Sequence, residues 1–434
     1  MTEISHAEEK RSTTNTTEER KRFIVDGQEP QNVLFPASLD QVADSLRLAN
    51  EQRCAVAPAG LGAFLHLGMP PRQYHTALSL QRLDKILDYQ PTDMTATVEA
   101  GLSLARFQQV LGEHGQWLPV DPPSPEQVTI GGLLAANLNG PVRLSQGTIR
   151  DFLIGLKVVR ADGTVIKGGG RVVKNVAGYD VPKLFCGSFG TLGVIVEATF
   201  KLRPKPPTQA MLELSFSSTQ QAMNLSLQIL GSELQPFFME LANFSPMQSG
   251  ENGRPYRLFI GLAGVSEEVR YQNARVQEMV GKGESAVREW QEGDEQSLVQ
   301  TLCDFSVSGS AVLRCKASIL PDKTATFCKD TEAEAASRGF AVQFLAHAGN
   351  GVVLSRFTNV EDNSPEKLLS FIDWLRILAK RLDGYLVIEN IDPALKERAD
   401  VWGHVGGALP LMKRLKETLD PNGILNPGRF VGGI

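Results

Sequence analysis

The stretch Thr129-Ile-Gly-Gly-Leu-Leu-Ala-Ala-Asn137 combines a helix-capping residue, two adjacent glycines and a run of small apolar residues. Threonine before such a run is a common N-cap, so the pattern predicts a helix that begins just after Thr129. The first turn of a helix has backbone N–H groups without an intrahelical partner, and glycine allows a ligand to approach them closely. The stretch therefore predicts a helix N-terminus that faces the phosphates of a ligand.

Three other glycine-rich turns lie on either side of this stretch. They are Pro58-Ala-Gly-Leu-Gly62, Gly168-Gly-Gly-Arg-Val-Val-Lys-Asn-Val-Ala-Gly-Tyr-Asp180 and Gly187-Ser-Phe-Gly-Thr-Leu-Gly193. Each one alone could be an ordinary turn. Together they predict backbone N–H groups arranged around one long cofactor. No G-x-G-x-x-G opens a helix with a later acidic residue, so a nicotinamide-binding Rossmann unit is disfavoured.

The order and spacing of these motifs resemble the FAD-binding domain of the FAD-linked oxidase family, which has the fold of vanillyl-alcohol oxidase and para-cresol methylhydroxylase (PCMH). Within the family, the chain resembles the FAD-binding subunits of glycolate dehydrogenase, also called glycolate oxidase. The resemblance implies an α+β fold, with a PCMH-type FAD-binding domain of two subdomains, an α+β cap domain and a C-terminal segment that returns to the FAD domain. The segments that carry it are residues 122–125, 129–132, 147–151, 174–180, 187–193 and 419–428.

Composition and chain breaks predict four parts. The segment Arg203-Pro-Lys-Pro-Pro207 marks a domain boundary, because proline cannot donate to a strand ladder and stiffens the chain. Beyond it, predicted strands alternate with amphipathic helices. The predicted parts are a flexible polar tail (1–30), the FAD-binding domain (31–205), the cap domain (206–394) and a C-terminal helix with a flavin-side segment (395–434).

The resemblance also implies which residues hold FAD. Residues 59–63 match the family's pyrophosphate loop, Ile195 is expected near the adenine, and Asn426 is expected to approach the isoalloxazine. Ala63 stands where some relatives have a histidine bonded covalently to the flavin, so non-covalent FAD is expected. The implied cofactor-binding residues are Ala59, Gly60, Leu61, Gly62, Ala63, Pro122, Thr129, Ile130, Gly131, Gly132, Asn137, Gly187, Ser188, Thr191, Gly193, Ile195 and Asn426.

Oxidation of a 2-hydroxy acid needs a base for the hydroxyl proton and a cation for the carboxylate, both near the flavin. The candidates for these roles are His347, Arg356 and Arg429. His347-Ala-Gly-Asn-Gly351 resembles the start of a metal-binding motif of some relatives. Leu354 stands at the second histidine position, so no metal site is predicted. A structural, hydrogen-bonded His347 and a solvated Arg356 remain an open alternative.

Bulk properties exclude several classes of protein. The net charge of -5 and the sequence pI of about 5.8 disfavour nucleic-acid binding. No apolar run is long enough for a transmembrane helix, and the polar N-terminus does not resemble a secretion signal. The five cysteines are scattered and form no C-x-x-C pair, which disfavours a disulfide framework and an iron–sulfur cluster. A cytoplasmic protein is expected.

The expected function is that of an FAD-binding subunit of a multi-subunit glycolate (2-hydroxy acid) dehydrogenase. The implied partners are a second FAD-linked catalytic subunit and an iron–sulfur subunit, with at most peripheral association at the inner face of a membrane. The first alternative is a stand-alone FAD-dependent dehydrogenase for glycolate, D-lactate or another small 2-hydroxy acid. The second alternative is a flavin-free scaffold, suggested by Leu61 and Ala63, which replace small or hydroxyl residues in the pyrophosphate loop.

Overall fold

A small four-stranded sheet forms first along the chain, and helices cover it. The structure is a computed structural model that describes residues 13–14, 16–170, 181–245, 255–280, 286–290, 294–360 and 364–434. The elements of this first subdomain are β1 (Thr13–Thr14), α1 (Thr17–Arg22), β2 (Asn32–Leu34), α2 (Leu39–Gln52), β3 (Val56–Ala59) and β4 (Thr76–Ser79). The strands lie in the order β1-β2-β4-β3, and β4 is parallel to both of its neighbours.

A five-stranded antiparallel sheet forms the second subdomain. Its strand order is β5-β6-β10-β8-β9, while β7 and β11 form a separate two-stranded pair. The helix α4 lies against β10. The elements are β5 (Ile86–Gln90), β6 (Thr95–Glu99), α3 (Leu104–Gly112), β7 (Gln116–Trp117), α4 (Ile130–Ala136), α5 (Arg143–Gln146), α6 (Ile149–Phe152), β8 (Leu153–Val159), β9 (Val165–Gly169), α7 (Pro182–Phe185), β10 (Val194–Lys201) and β11 (Arg203–Pro204).

An antiparallel sheet of eight strands forms the cap domain, in the order β15-β12-β14-β13-β17-β18-β16-β19. Side chains alternate across a strand. One face therefore packs Leu212 and Leu214 against α8, α9, α11 and α12, and the other packs Met211 beside Phe259 and Trp290. The elements are β12 (Thr208–Phe216), α8 (Thr219–Leu230), β13 (Phe238–Ala242), β14 (Tyr256–Gly264), α9 (Ser266–Val280), β15 (Ala286–Trp290), α10 (Asp294–Cys303), β16 (Leu313–Ser318), α11 (Thr324–Ser337), β17 (Phe340–His347), β18 (Val352–Asn359), α12 (Pro365–Arg381) and β19 (Tyr385–Ile391).

The end of the chain returns to the first subdomain after α13 (Pro393–Ala399) and α14 (Leu409–Leu419). The N–H of Val56 donates to Ile424 O (2.7 Å), and the N–H of Asn426 donates to Val56 O (2.9 Å). Ile424 and Leu425 are buried in the core of the five-stranded sheet. The C-terminal segment is therefore an integral neighbour of β3.

Local sequence signals predict these elements well. Ser38 caps α2 by accepting the Gln41 N–H (3.2 Å), and Thr129 caps α4 by accepting the Gly132 N–H (3.2 Å), as expected. The predicted hairpin turn is also confirmed, because Gly163 has φ +81° between β8 and β9. The α+β class is confirmed as well. No described helix has both the length and the apolar character needed to cross a membrane.

The predicted flexible tail is wrong for residues 16–30. Within this segment Phe23 and Val25 are fully buried in a cluster with Val33 and Tyr74. The segment is polar in overall composition, which suggested flexibility, but these two apolar side chains belong to the core of the first subdomain. The predicted motif at residues 174–180, including Lys174 and Asp180, lies outside the described residues.

Candidate functional site

A cavity opens to solvent where four segments of the chain meet, and the empty space there, part of it open solvent, is about 830 Å³. These segments are the loop after β3, the start of α4, the start of β10 and the C-terminal segment. We call this space the flavin-domain cavity. Its lining is Pro58, Ala59, Gly60, Leu61, Gly62, Ala63, Phe64, Leu65, Leu80, Ala100, Gln127, Val128, Thr129, Gly131, Gly132, Ala135, Ala136, Phe189, Gly190, Gly193, Val194, Ile195, Asn426 and Arg429.

Glycine allows these segments to approach each other closely. A Cβ atom at Gly60 would lie 2.1 Å from Thr129 Oγ1, and one at Gly193 would lie 2.4 Å from Val158 Cγ1. Real Cβ atoms do not tolerate such distances, because interiors are close-packed. The glycines of the motifs therefore set the width of the cavity.

Most of the predicted cofactor-binding residues meet at this cavity. Those that line it are Ala59, Gly60, Leu61, Gly62, Ala63, Thr129, Gly131, Gly132, Gly193, Ile195 and Asn426. The other predicted residues, Pro122, Ile130, Asn137, Gly187, Ser188 and Thr191, are not in the lining. Their roles toward the cofactor stay predictions.

Several of these other residues support the cavity from behind. The N–H of Gly187 donates to Leu134 O (2.8 Å), which joins the last glycine motif to α4. Thr191 is fully buried, and its hydroxyl donates to Ser188 O (2.7 Å). Ile130 is buried in the core of the five-stranded sheet. This motif therefore shapes the wall through its backbone contacts.

The first turn of α4 differs from the expectation. The N–H of Ile130 donates to Leu102 O (2.9 Å), and that of Gly131 donates to Ala100 O (2.7 Å). With Gly132 bonded to its cap, these N–H groups have protein partners and are not available to phosphates. The prediction of a phosphate-facing helix start is wrong here, because a neighbouring backbone segment supplies the acceptors.

The loop after β3 is where free N–H groups line the cavity. Within the described part of the chain, the N–H groups of Gly60, Leu61, Gly62 and Ala63 have no hydrogen-bond partner. Consecutive backbone N–H groups without partners form an anion-binding concavity. This geometry suits the diphosphate of the predicted cofactor.

Two side chains at the other side of the cavity also have buried atoms without partners in the described structure, namely Asn426 Oδ1 and Arg429 Nε. Unpaired buried polar atoms are uncommon in native proteins. The Asn426 oxygen can accept a hydrogen bond and the Arg429 guanidinium can donate one. This pair suits the edge of a flavin ring, which has both donors and acceptors. Together with the free N–H groups, they make the cavity a good fit for FAD.

Positive charge surrounds this end of the cavity. Burial and the neighbouring cations Lys396, Arg314 and Arg429 lower the pKa of His66 to about 4, so His66 is neutral at pH 7. Burial also lowers the pKa of Arg429. Arg429 nevertheless stays protonated at neutral pH, because a free guanidinium has a pKa above 12.

Phe189 is a lining residue to which the sequence analysis assigned no role. Its backbone is left-handed (φ 54°), and its ring stacks on Phe430 (5.4 Å between centroids) and meets Trp402 edge-on (5.0 Å). The small residues Ala135 and Ala136 were also missed. Their spacing of four from Gly131 and Gly132 places them on the same helix face, which is the signal that could have identified them.

His347 lies in the cap domain and outside the cavity lining. Its Nδ1 lies 2.7 Å from Glu240 Oε1, and both side chains are buried. Asp121 contributes from the first domain: its Oδ2 accepts from the Val142 N–H (2.9 Å) and from Cys303 Sγ (3.7 Å). We call Asp121, Glu240, Cys303 and His347 the His347 cluster.

The protonation of the His347 cluster is strongly altered by burial. Burial raises the pKa of Asp121 to about 7 and also raises the pKa of Glu240. Burial alone would lower the pKa of His347, but the charge and hydrogen bond of Glu240 raise it. The cluster therefore holds a hydrogen-bonded His347–Glu240 pair beside a carboxyl group whose pKa lies near neutral pH.

Arg356 is also engaged within the cap domain. Its Nε and Nη2 donate to Gln343 Oε1 (2.8 and 2.6 Å), and its Nη1 donates to Ser308 O (2.9 Å). The guanidinium also lies over the Phe305 ring (4.7 Å). Of the three predicted catalytic residues, only Arg429 lines the cavity. Within the described residues, no group of three or more His, Cys, Asp or Glu side chains is arranged to hold a metal ion.

Comparison with known proteins agrees with the cavity. A family model described as "FAD binding domain" matches residues 30–169, and one described as "FAD linked oxidases, C-terminal domain" matches residues 205–430. Glycolate oxidase subunit GlcD of Bacillus subtilis (strain 168) is 29% identical over 423 residues, covering 92% of this chain and 89% of that protein. Glycolate oxidase subunit GlcE of Escherichia coli (strain K12) is 30% identical over 354 residues, covering 80% and 84%.

A third relative is the probable mitochondrial D-lactate dehydrogenase of Danio rerio, which is 28% identical over 425 residues and covers 93% of this chain and 84% of that protein. Among solved structures, alkyldihydroxyacetonephosphate synthase has a TM-score of 0.77 at 18% identity, covering 99% of this chain and 86% of that one. Substrate-bound p-cresol methylhydroxylase has a TM-score of 0.72 at 16% identity, covering 97% and 94%. These structures show the predicted PCMH-type fold.

The two family models together match most of the chain, and the cavity offers the groups that FAD needs. The chain therefore belongs to the FAD-linked oxidase family, as an FAD-dependent oxidoreductase in the group that includes the glycolate, D-lactate and 2-hydroxyglutarate dehydrogenases.

Proposed function

We propose that this chain is the FAD-binding subunit of a multi-subunit glycolate (2-hydroxy acid) dehydrogenase. FAD bound here would accept electrons from the catalytic subunit and pass them on within the complex. The chain's own residues supply the diphosphate-binding loop and the polar groups at the ring end of the cavity. Two relatives that carry the name of glycolate oxidase subunits support an assignment to a complex.

The observation that carries this proposal is the engagement of His347 by Glu240 in the cap domain. A catalytic base must reach the proton that it removes, either directly or through one water. His347 is instead buried with its Nδ1 bound to the carboxylate of Glu240, and Arg356 is bonded to protein groups. Two of the three candidate catalytic side chains thus have structural partners, which supports a catalytic site on another subunit.

We further propose that FAD is bound non-covalently. The described lining of the cavity contains Ala63 at the position that carries the covalent link in some relatives, and it includes no His, Cys or Tyr. The partners that we propose are a second FAD-linked catalytic subunit and an iron–sulfur subunit. The complex would work in the cytoplasm or peripherally at the inner face of a membrane.

One observation favours the alternative of a stand-alone 2-hydroxy-acid dehydrogenase. Arg429 lines the cavity with an unpaired Nε, and a guanidinium beside a flavin could bind a substrate carboxylate. On this alternative the isolated chain oxidises glycolate or D-lactate with its own residues.

The experiment compares the isolated chain with the complex purified from its native cell. For each sample we would measure FAD and iron per chain, release of FAD by acid precipitation, and dye reduction with glycolate and with D-lactate. We expect the isolated chain to release intact FAD and to show no substrate-dependent dye reduction, while the complex reduces the dye. Full turnover by the isolated chain would contradict the subunit proposal.

Anaerobic bleaching of the flavin tests the alternative directly. If the isolated chain is a dehydrogenase, glycolate or D-lactate bleaches its flavin, and the Arg429→Lys variant slows that bleaching. Arg398→Lys is a matched control, because Arg398 is exposed and pairs with Glu366 on the surface. An isolated chain that keeps its flavin colour with both substrates argues against the alternative.

A further inference from the structure

Lys396 is a lysine of α13 whose side chain is only 1% exposed. Its Nζ lies 2.6 Å from His66 O, 3.1 Å from Gly68 O and 2.6 Å from Asp26 Oδ1. An ammonium group has three donors, so each donor of Lys396 has one partner. A cation deep in the protein is therefore committed entirely to two backbone carbonyls and one carboxylate.

The two carbonyls belong to the loop that lines the flavin-domain cavity. This loop has no helix or strand at residues 61–69. Arg429 Nη2 donates to Leu65 O (2.6 Å) and Leu67 O (2.5 Å), which alternate with the two carbonyls bound by Lys396. Four consecutive carbonyls are thus each bound by a buried cation. These cations replace the hydrogen bonds that regular secondary structure would supply.

Asp26 brings a third segment to the same point. It has a left-handed backbone (φ 49°), and it follows the buried side chains of Phe23 and Val25 in the N-terminal segment. Its side chain is 3% exposed. The N-terminal segment, the cavity loop and α13 are therefore joined through one buried ion pair.

A buried ion pair is weak evidence for stability, because apolar residues of similar volume often serve as well. Its distinct effect is to specify geometry, since both carbonyls and the carboxylate must point at one atom. The first half of the same loop, residues 60–63, holds the free N–H groups that suit a diphosphate. Fixing the second half limits the conformations that the first half can adopt.

We propose that Lys396, paired with Asp26, is a positioning residue that holds the cavity loop in its FAD-binding conformation before the cofactor arrives. Arg429 also binds the loop, but it lines the cavity itself, whereas Lys396 does not contact it. Lys396 therefore acts on the cofactor only through the backbone of the loop. The proposal depends on FAD binding alone and holds for either candidate function.

The test uses the full chain with the double variant Lys396→Met/Asp26→Asn, which removes both charges while it keeps similar shapes. Asparagine tolerates the left-handed backbone at position 26. We expect FAD to bind about tenfold to a hundredfold more weakly, because a prearranged loop no longer reduces the cost of binding. Fluorescence titration of the apoprotein measures the affinity.

Hydrogen exchange of the apoprotein separates positioning from general stability. We expect faster exchange of the amides at residues 65–69 in the double variant, while the cap-domain strands keep the exchange rates of the wild type. Added FAD should restore the protection of the loop. Uniformly faster exchange over both domains, or unchanged exchange of the loop, would overturn the proposal.

The matched control is Arg257→Met/Glu213→Gln, which removes a buried ion pair of the cap domain (3.3 Å). We expect this control to lower the melting temperature without changing the affinity for FAD. In the single variant Asp26→Asn, Lys396 keeps its hydrogen bonds to the two carbonyls, so we expect a smaller loss of FAD affinity. This variant can be measured even if the double variant folds poorly. The proposal would be overturned if the double variant and Asp26→Asn both bound FAD with the affinity of the wild type. It would also be overturned if the control lost as much affinity for FAD as the double variant.

Discussion

The flavin-domain cavity and the His347 cluster consist of different groups. The cavity is lined mostly by glycine, alanine and larger apolar residues, together with free backbone N–H groups, and Arg429 is its one charged lining residue among those described. In the His347 cluster, by contrast, both carboxylate oxygens of Glu240 bind His347, and Asp121 Oδ1 is the one buried side-chain oxygen there without a partner in the described structure. Groups without partners indicate a ligand, whereas groups that satisfy each other indicate structure. The difference supports cofactor binding in the first domain and a structural role for the cap-domain histidine.

The largest expected effect is on the His347 cluster. His347→Ala would leave Glu240 buried without its partner, and breaking a buried pair costs about 3–5 kcal/mol of unfolding free energy. We expect urea unfolding of the apoprotein to show this loss while the affinity for FAD stays near that of the wild type. The variant Glu240→Leu/His347→Leu is the control and should recover most of the stability. A loss of FAD affinity without a loss of stability would place His347 at the cofactor instead.

The next effect is the pH dependence of stability. The pKa of Asp121 is about 7 in the folded protein and about 3.9 in an unfolded chain. The folded state therefore binds more protons between these values, and stability decreases as the pH rises from about 4 to 7, by up to about 4 kcal/mol. His347 contributes to the pH dependence in the same direction. Its pKa is raised in the folded protein, so the stability that it adds is lost as the pH rises through that pKa.

The measurement is urea unfolding at several pH values for the wild type and for Asp121→Asn. We expect the variant to show a shallower decrease, because its neutral amide cannot release a proton. Asp162→Asn is the control. Slight burial raises the pKa of Asp162, but hydrogen bonds from Thr164 outweigh it and lower the pKa, so the contribution of Asp162 to stability changes only at lower pH. An unchanged slope in Asp121→Asn would contradict a neutral Asp121 in the folded protein.

A smaller effect is expected at the cavity wall. Gly60→Ala would place a Cβ 2.1 Å from Thr129 Oγ1, and overpacking of this kind costs about 1–3 kcal/mol. We expect FAD affinity to fall about tenfold to a hundredfold. Gly112→Ala is the control, since nothing lies within 4 Å of its Cβ position. Titration of both apoproteins with FAD measures the difference, and equal affinities would mean that the wall adapts.

The smallest effect compares two helix caps. Thr129→Ala in the first domain and Ser218→Ala in the cap domain each remove a hydroxyl that accepts an N–H three residues later. Each should cost about 1 kcal/mol of stability. We expect only Thr129→Ala to weaken FAD binding as well, because Thr129 lines the cavity. Equal FAD affinities of the two variants would show that the wall tolerates loss of the cap.

Local features of the sequence determined much of the fold. The capping residues Ser38 and Thr129, the hairpin turn at Gly163 and the alternation of apolar residues in the strands act over a few residues, so their consequences follow from residue type. The glycine motifs likewise predicted the cavity, because a backbone-lined site needs residues without side chains. Eleven of the implied cofactor-binding residues line it, and five of these are glycines.

Contacts between distant residues were decided only by the tertiary structure. Glu240 meets His347 across a separation of 107 residues, and Lys396 reaches His66 across 330. The N–H of Gly131 bonds to Ala100 instead of a phosphate, and the polar N-terminal segment packs through Phe23. A sequence pattern states what a residue can bind, but packing determines which partner lies within reach. That is why the cofactor and its domain were predictable, whereas the partners of the charged side chains were not.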